Sequence, residues 1–179
     1  MTPQSDANVG VMIQDFSGLT SDSRKVAPGY LFAALPGSKT DGARFLKDAV
    51  ARGASAVLGA PEVAEEAAAL GVRFIPADNP RAALAHFAAA FYGQQPEVVA
   101  AVTGTKGKSS IVAFLREIWT RNGYAAASLG TVGVIGPRGA MPLSHTTPDP
   151  VEIHALLARL SDEGVTHLAV EASSHGLDQ

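Results

Sequence analysis

The chain has 179 residues, 46% of them hydrophobic, which is enough to bury one large core or two small ones. Its 14 basic and 17 acidic residues are mixed along the sequence and leave a net charge of −3, and nothing in that pattern points to a nucleic-acid-binding surface or a polybasic membrane patch. No cysteine is present, so disulfides and thiolate metal sites are excluded outright. The polar start MTPQSDANVG lacks the pattern of a signal peptide, and no apolar run approaches the roughly 20 residues of a membrane helix. The expectation is a soluble cytoplasmic protein, with no membrane insertion and no nucleic-acid partner.

In chain order, GLTSDSRKVAPGYLFAALPG holds two short strand-like runs with Pro28 and Gly29 at the turn between them. DGARFLKDAVARGASAVLG reads as a helix and then a strand, with Phe45, Leu46, Ala49 and Val50 on one helical face and Gly53 as the stop. VRFIPA is another short strand. In DNPRAALAHFAAAFYGQQP, Asn79 suits a helix cap and Pro80 the first helical position, with Leu84, Phe87 and Phe91 following at helical spacing. The stretch YGQQPE reads as a linker, which places a domain boundary between 1–95 and 96–179.

Beyond it the rhythm becomes strand, glycine loop, helix. Val98 to Thr103 reads as a continuous apolar strand of the buried parallel kind. Ile111, Val112, Phe114, Leu115, Ile118 and Trp119 mark an amphipathic helix ending near Gly123. AAASLG is the next strand. PDPVEIHALLARLSDEG is a helix with Asp149 as cap, Pro150 first, Glu152 at the capping-box position and Gly164 closing it. THLAVEASS is a strand that ends in polar groups. Alternating βαβ units predict an α/β fold with a parallel sheet, and ligands at the carboxyl ends of its strands.

The decisive stretch is VTGTKGKSS. A phosphate needs many donors brought close without obstruction; backbone N–H groups at a helix start supply them, and glycines let the backbone approach. Gly104 and Gly107 shape such a loop, Thr105, Lys106 and Ser110 flank it, Lys108 is placed to reach the β- and γ-phosphates, and Ser109 offers a hydroxyl to magnesium. Val102 stands where the strict G-x-x-x-x-G-K-[ST] pattern has its first glycine. The strand before and the helix after supply the context of a nucleoside triphosphate site.

The shortened loop G-T-x-G-K-[ST] resembles that of the Mur ligases and their relatives, the folylpolyglutamate synthases. Together with LTSDSRKVAPGYLFAALPGSKTDGARF, LGTVGV, HTTPDP and EASSHGLDQ, it is similar to the MurE-type branch, which adds the third residue of the peptidoglycan stem peptide. The resemblance runs from about Gly18 to Gln179. It implies a small N-terminal α/β domain that binds the UDP end of UDP-N-acetylmuramoyl-L-alanyl-D-glutamate, followed by the start of a P-loop parallel-sheet ATPase domain.

The resemblance further implies substrate contacts at Ser21, Ser23, Ser38, Lys39 and Thr40, and at His145, Thr146 and Thr147 against the muramoyl-dipeptide, with Ser173 and Gln179 also on substrate. It implies ATP and Mg2+ as cofactors, Lys108 and Glu171 as catalytic groups, and Ser109 and Glu171 as magnesium ligands. The family most often has Asn at the positions of Lys106 and, in many members, His145, so this chain carries an additional cation in its loop. The implied chemistry is amide formation: the substrate carboxylate takes the γ-phosphoryl group, and the amine of an amino acid, meso-diaminopimelate by family frequency, displaces it. Family members continue into a carbamylated lysine and a C-terminal domain, so the expectation is an incomplete portion of a monomeric ligase that does not itself catalyse. Two other readings stay open, a UDP-muramoyl-peptide binding module without catalysis and a folylpolyglutamate synthase; SDSR and GSKTDG ahead of the loop argue against the second.

Overall fold

The computed structural model describes residues 13–37, 41–143 and 149–173. The chain divides into two compact units, Met1–Phe91 and Tyr92–Gln179.

In the first unit four strands, β1 (Gly18–Thr20), β2 (Tyr30–Ala34), β3 (Ala56–Gly59) and β4 (Arg73–Pro76), form an all-parallel sheet in the order of the sequence. The two runs flanking Pro28 and Gly29 are therefore parallel neighbours, joined through a single 3-10 turn at Ser23–Lys25. Helices α1 (Leu46–Ala51) and α2 (Ala64–Ala69) make the next two crossovers. Strand alternation puts Phe32, Ala34 and Val57 on the face that packs against Leu46 and Ala49 of α1 and Ala67 of α2. Right-handed crossovers in a sheet wound one way fall on the same face, as these two do. Of the expected α1 face, Leu46 and Ala49 are fully buried, whereas Phe45 closes a preceding 3-10 turn and is 42% exposed. Gly53, at φ +98°, ends the helix where a Cβ would lie 2.9 Å from Pro28 Cα. Helix α3 (Pro80–Tyr92) begins as its sequence dictates, with Asn79 Oδ1 accepting from the Ala82 N–H at 3.1 Å, and it buries Leu84, Phe87 and Ala88.

The second unit holds β5 (Val98–Val102), α4 (Lys108–Arg121), β6 (Ala126–Gly130), β7 (Gly133–Gly136), β8 (Gly139–Met141), α5 (Pro150–Asp162) and β9 (His167–Glu171). Its sheet runs β5-β9-β6-β7-β8. The parallel core, β5-β9-β6, is extended by an antiparallel hairpin, β7–β8, that the βαβ rhythm alone did not predict. Strand alternation separates the two faces of the core. Ala127, Leu129, Leu168 and Val170 bury against Leu156, Leu157 and Leu160 of α5, while Ser128, His167 and Glu171 belong to the face carrying α4. Asp149 caps α5, accepting from the Glu152 N–H at 2.8 Å, with Pro150 first in the helix.

Two expectations about burial are corrected. Strand β5 is not buried: among the described residues it pairs only with β9, at the edge of the sheet, and Val98 and Val99 are 40% and 41% exposed. On α4, Ile111, Phe114 and Ile118 face outward at 47–65% exposure, and Val112 is its one fully buried residue. The helix lies on the sheet along Val112, Leu115, Arg116 and Trp119, so Ile111, Phe114 and Ile118 are left outside.

Candidate functional site

Parallel pairing in register places Val102, the last residue of β5, opposite Glu171, the last of β9. The backbone then ties the strand ends together, the Ala172 N–H donating to the Val102 carbonyl at 2.9 Å. The glycine loop therefore leaves the sheet beside the Glu171 carboxylate, at the carboxyl edge where α/β sheets bind ligands.

Within the loop, Gly104 (φ +139°) and Gly107 (φ +82°) hold conformations that a side chain resists, and Gly107 is the residue immediately before α4. Thr105, Lys106, Gly107, Ser109 and Ser110 are exposed and Lys108 is half-buried. The first intrahelical bond of α4 runs from the Ile111 N–H to the Gly107 carbonyl. That leaves the N–H groups of Lys108, Ser109 and Ser110 ahead of the helical ladder. The first turn carries no acidic side chain. These donors, the positive end of the helix dipole and two lysines suit an anion. The Lys108 ammonium donates at 2.6 Å to the Gly104 carbonyl, closing the loop on itself.

Glu171 is the notable group. It is only 3% exposed, so it is not a solvated strand end. Its Oε1 accepts from the Thr131 N–H at 3.1 Å and its Oε2 from the Thr131 hydroxyl at 3.4 Å. Among the described residues no lysine or arginine pairs with it. Glu171 and Ser109 line one cavity of about 90 Å³, together with Arg116, Ser128, Gly130 and Val132. Arg116 lies two turns after Lys108 on the same helix face and is mostly buried; it donates to Ser128 Oγ at 3.2 Å and to Glu117 at 2.9 Å.

Hard oxygen donors around a buried carboxylate that, among the described residues, makes no ion pair fit a magnesium ion shared with phosphate oxygens, which needs few protein ligands; Arg116 in the same cavity adds charge that suits the phosphates. The described residues contain no group of three His, Asp or Glu that would hold a metal by themselves.

In the first unit, Ser21 follows directly on β1 and is half-buried. Ser23 is 6% exposed, and its hydroxyl binds the Asp48 carboxylate, which together with Arg52 holds that group below the usual carboxylate range. Asp22 between them caps the 3-10 turn through the Arg24 N–H at 3.0 Å and takes a bidentate grip from the Arg24 guanidinium at 2.9 and 2.7 Å. Ser173 is half-buried two residues beyond Glu171. Ser38, Lys39, Thr40, His145, Thr146, Thr147 and Gln179 lie outside the described residues. Sequence reasoning missed Gly130, Thr131, Arg116 and Ser128. The spacing of Arg116 from Lys108 and the Gly-Thr pair closing a strand were the signals available.

Residues 15–92 match the model of the Mur ligase family, catalytic domain, and residues 102–179 match the Mur ligase middle domain. The chain belongs to the Mur ligase family. A UDP-N-acetylmuramoyl-L-alanyl-D-glutamate–2,6-diaminopimelate ligase of Rhizobium meliloti (strain 1021) is 53% identical over 165 residues, and one of Brucella melitensis biotype 1 is 54% identical over the same length. Each match covers 92% of this chain and 33% of the relative, so the chain spans about a third of the length of these curated Mur ligases. A solved structure of a ligase of the same description superimposes with a TM-score of 0.76 at 32% identity, over 91% of this chain and 33% of that one. The MurF ligase of Thermotoga maritima in complex with ADP shares the fold, with a TM-score of 0.57 at 19% identity.

Proposed function

We propose that this chain is the substrate- and nucleotide-binding portion of an ATP-dependent acid–amino-acid ligase of peptidoglycan precursor synthesis. Its substrate is UDP-N-acetylmuramoyl-L-alanyl-D-glutamate, and the residue added is meso-diaminopimelate. Residues 1–95 hold the UDP end and residues 96–179 hold ATP. The observation that carries this reading is the pairing of Val102 with Glu171, which sets a buried carboxylate beside a glycine loop and in one cavity with the first-turn hydroxyl Ser109.

In this reading the N–H groups of Gly107 to Ser110 bind the phosphates, and Lys108 leaves the Gly104 carbonyl for a phosphate oxygen. Lys106 adds positive charge at the mouth of the loop. Glu171 and Ser109 hold a magnesium ion, which when bound neutralises phosphate charge. No protein nucleophile is required: the substrate carboxylate takes the γ-phosphoryl group directly, and the protein contributes position and electrostatics. In the first unit Ser21 contacts the UDP-sugar at the edge formed by the ends of β1 and β2. Ser23 acts through the turn it helps to fix.

Calorimetric titration of the 179-residue chain tests both halves. Heat is expected with ATP, more strongly with Mg2+, and with UDP-N-acetylmuramoyl-dipeptide but not with the sugar-peptide lacking UMP. Silence with ATP overturns the nucleotide site, and equal silence with both sugar ligands overturns the substrate assignment.

A further inference from the structure

Gly130 and Thr131, at the end of β6, are not among the residues assigned to ATP, metal or substrate, yet both bear directly on Glu171. A Cβ built on Gly130 would overlap the Glu171 carboxylate and stand only 2.7 Å from its Cγ. The position therefore admits no side chain while the carboxylate keeps its place. Thr131 then addresses both carboxylate oxygens, its N–H donating to Oε1 at 3.1 Å and its hydroxyl to Oε2 at 3.4 Å. These are the hydrogen bonds the carboxylate accepts among the described residues, and it is 3% exposed. The strand order explains the meeting: β6 is the neighbour of β9 on the side away from β5, so the ends of β5 and β6 flank the end of β9. Glu171 is held from the β6 side and faces a cavity shared with Ser109 of α4.

We propose that Gly130 and Thr131 form a positioning element for the reaction: a seat that fixes the Glu171 carboxylate in the one orientation from which it and Ser109 can share a divalent cation. Groups that orient a metal-ligating carboxylate by hydrogen bonds tune the affinity of the site although they never touch the ion. Gly130 provides the space and Thr131 the direction. The hydroxyl is the replaceable half of the grip, because the Thr131 N–H is main chain and survives substitution. This inference rests on the nucleotide-site reading above.

The test measures ATP affinity of the 179-residue chain by calorimetry with and without Mg2+, and takes the ratio of the two affinities as the readout. Thr131→Val, which keeps shape and N–H but loses the hydroxyl, is expected to cut that ratio about tenfold, the lower end of what loss of an orienting partner costs a metal site. Thr131→Ser is expected to restore it, and Gly130→Ala to abolish the enhancement by Mg2+. Affinity for ATP without Mg2+, and the melting temperature of Thr131→Val, are expected to stay unchanged; a purely structural role would move both. An unsubstituted chain that binds no ATP overturns the nucleotide-site reading and this inference with it. An unsubstituted chain with a clear Mg2+ enhancement that persists in Thr131→Val overturns this inference alone, even where Gly130→Ala fails to fold.

Discussion

The Lys108 ammonium donates a 2.6 Å hydrogen bond to the carbonyl of Gly104, four residues earlier in the same loop. A lysine so placed closes the ring that a phosphate would otherwise fill, and a bound anion must draw it away from a neutral acceptor toward a charged one. Lys108→Ala is expected to weaken ATP binding by ~1.5–3 kcal/mol, the value of a hydrogen bond to a charged group, which is about 10- to 100-fold in affinity. Calorimetry reads this directly, and unchanged affinity would remove Lys108 from the site. Lys106→Asn, at an exposed position, is expected to alter affinity less and mainly in a salt-dependent way.

The turn after β1 carries a pH dependence of known sign. The bidentate Arg24 guanidinium, with help from the Arg24 N–H, holds the Asp22 carboxyl down to about 2 from its ordinary 3.8, against the opposing effect of burial. A carboxyl depressed on folding adds stability above its unfolded value and loses it as pH falls through the folded one. Its contribution is thus present at neutral pH and disappears between pH 3.8 and about 2. Asp22→Asn keeps a capping side chain and removes the charge, so it is expected to cost below ~1 kcal/mol, as exposed pairs do. Asp22→Ala is expected to cost about 0.5–2 kcal/mol by losing the cap as well. Urea denaturation at pH 7 and pH 2.5 measures both, and the effects of the variants should shrink at the lower pH.

On α4, Ile111, Phe114 and Ile118 are exposed while Val112, Leu115 and Trp119 turn inward. Phe114→Gln, at 65% exposure, is expected to change stability by less than about 0.5 kcal/mol. Leu168→Ala, fully buried between the sheet and α5, is expected to cost about 2–5 kcal/mol. Equal losses in chemical denaturation would mean that the helix is seated the other way round.

At the opposite end of β9 from the glycine loop, His167 packs against Trp119 edge-on at 5.2 Å and against Tyr124 at 4.1 Å between ring centres, with Thr166 Oγ1 2.9 Å from its Nδ1. Trp119 is the one tryptophan of the chain, which makes the cluster visible by fluorescence. His167→Ala is expected to shift Trp119 emission to the red and to destabilise the second unit by about 0.5–1.5 kcal/mol, the value of an aromatic pair. An emission maximum that does not move would separate Trp119 from the cluster.

Features decided locally were legible in the sequence. Asn79, Pro80, Asp149 and Pro150 start their helices where their side chains and fixed backbone angles dictate, and Gly104, Gly107 and Lys108 form the loop their spacing describes. Features decided by neighbours far along the chain were not. The apolar stretch Val98 to Thr103 reads as a buried strand, but burial depends on its place in the sheet, and β5 is at the edge among the described strands. The hairpin β7–β8 was hidden because Gly133 to Met141 is too short and glycine-rich to advertise two strands, although Pro137 between Gly136 and Gly139 marks its turn. Glu171 was found as a strand-end carboxylate, but its burial and its grip by Thr131 required the register of three strands.

The one-directional winding of the first sheet has a consequence for what its carboxyl edge can hold. Where successive crossovers pass to opposite faces, the strand ends part and leave a cleft that ligands enter. Strands β1 to β4 follow one another without such a reversal, so their ends form an unbroken ledge. The segment that follows Thr20 at this edge opens on the half-buried Ser21 and the 3-10 turn Ser23–Lys25. Substitutions in the segments beyond the strand ends are therefore expected to leave the packing of Phe32, Val57 and Leu46 beneath the ledge undisturbed.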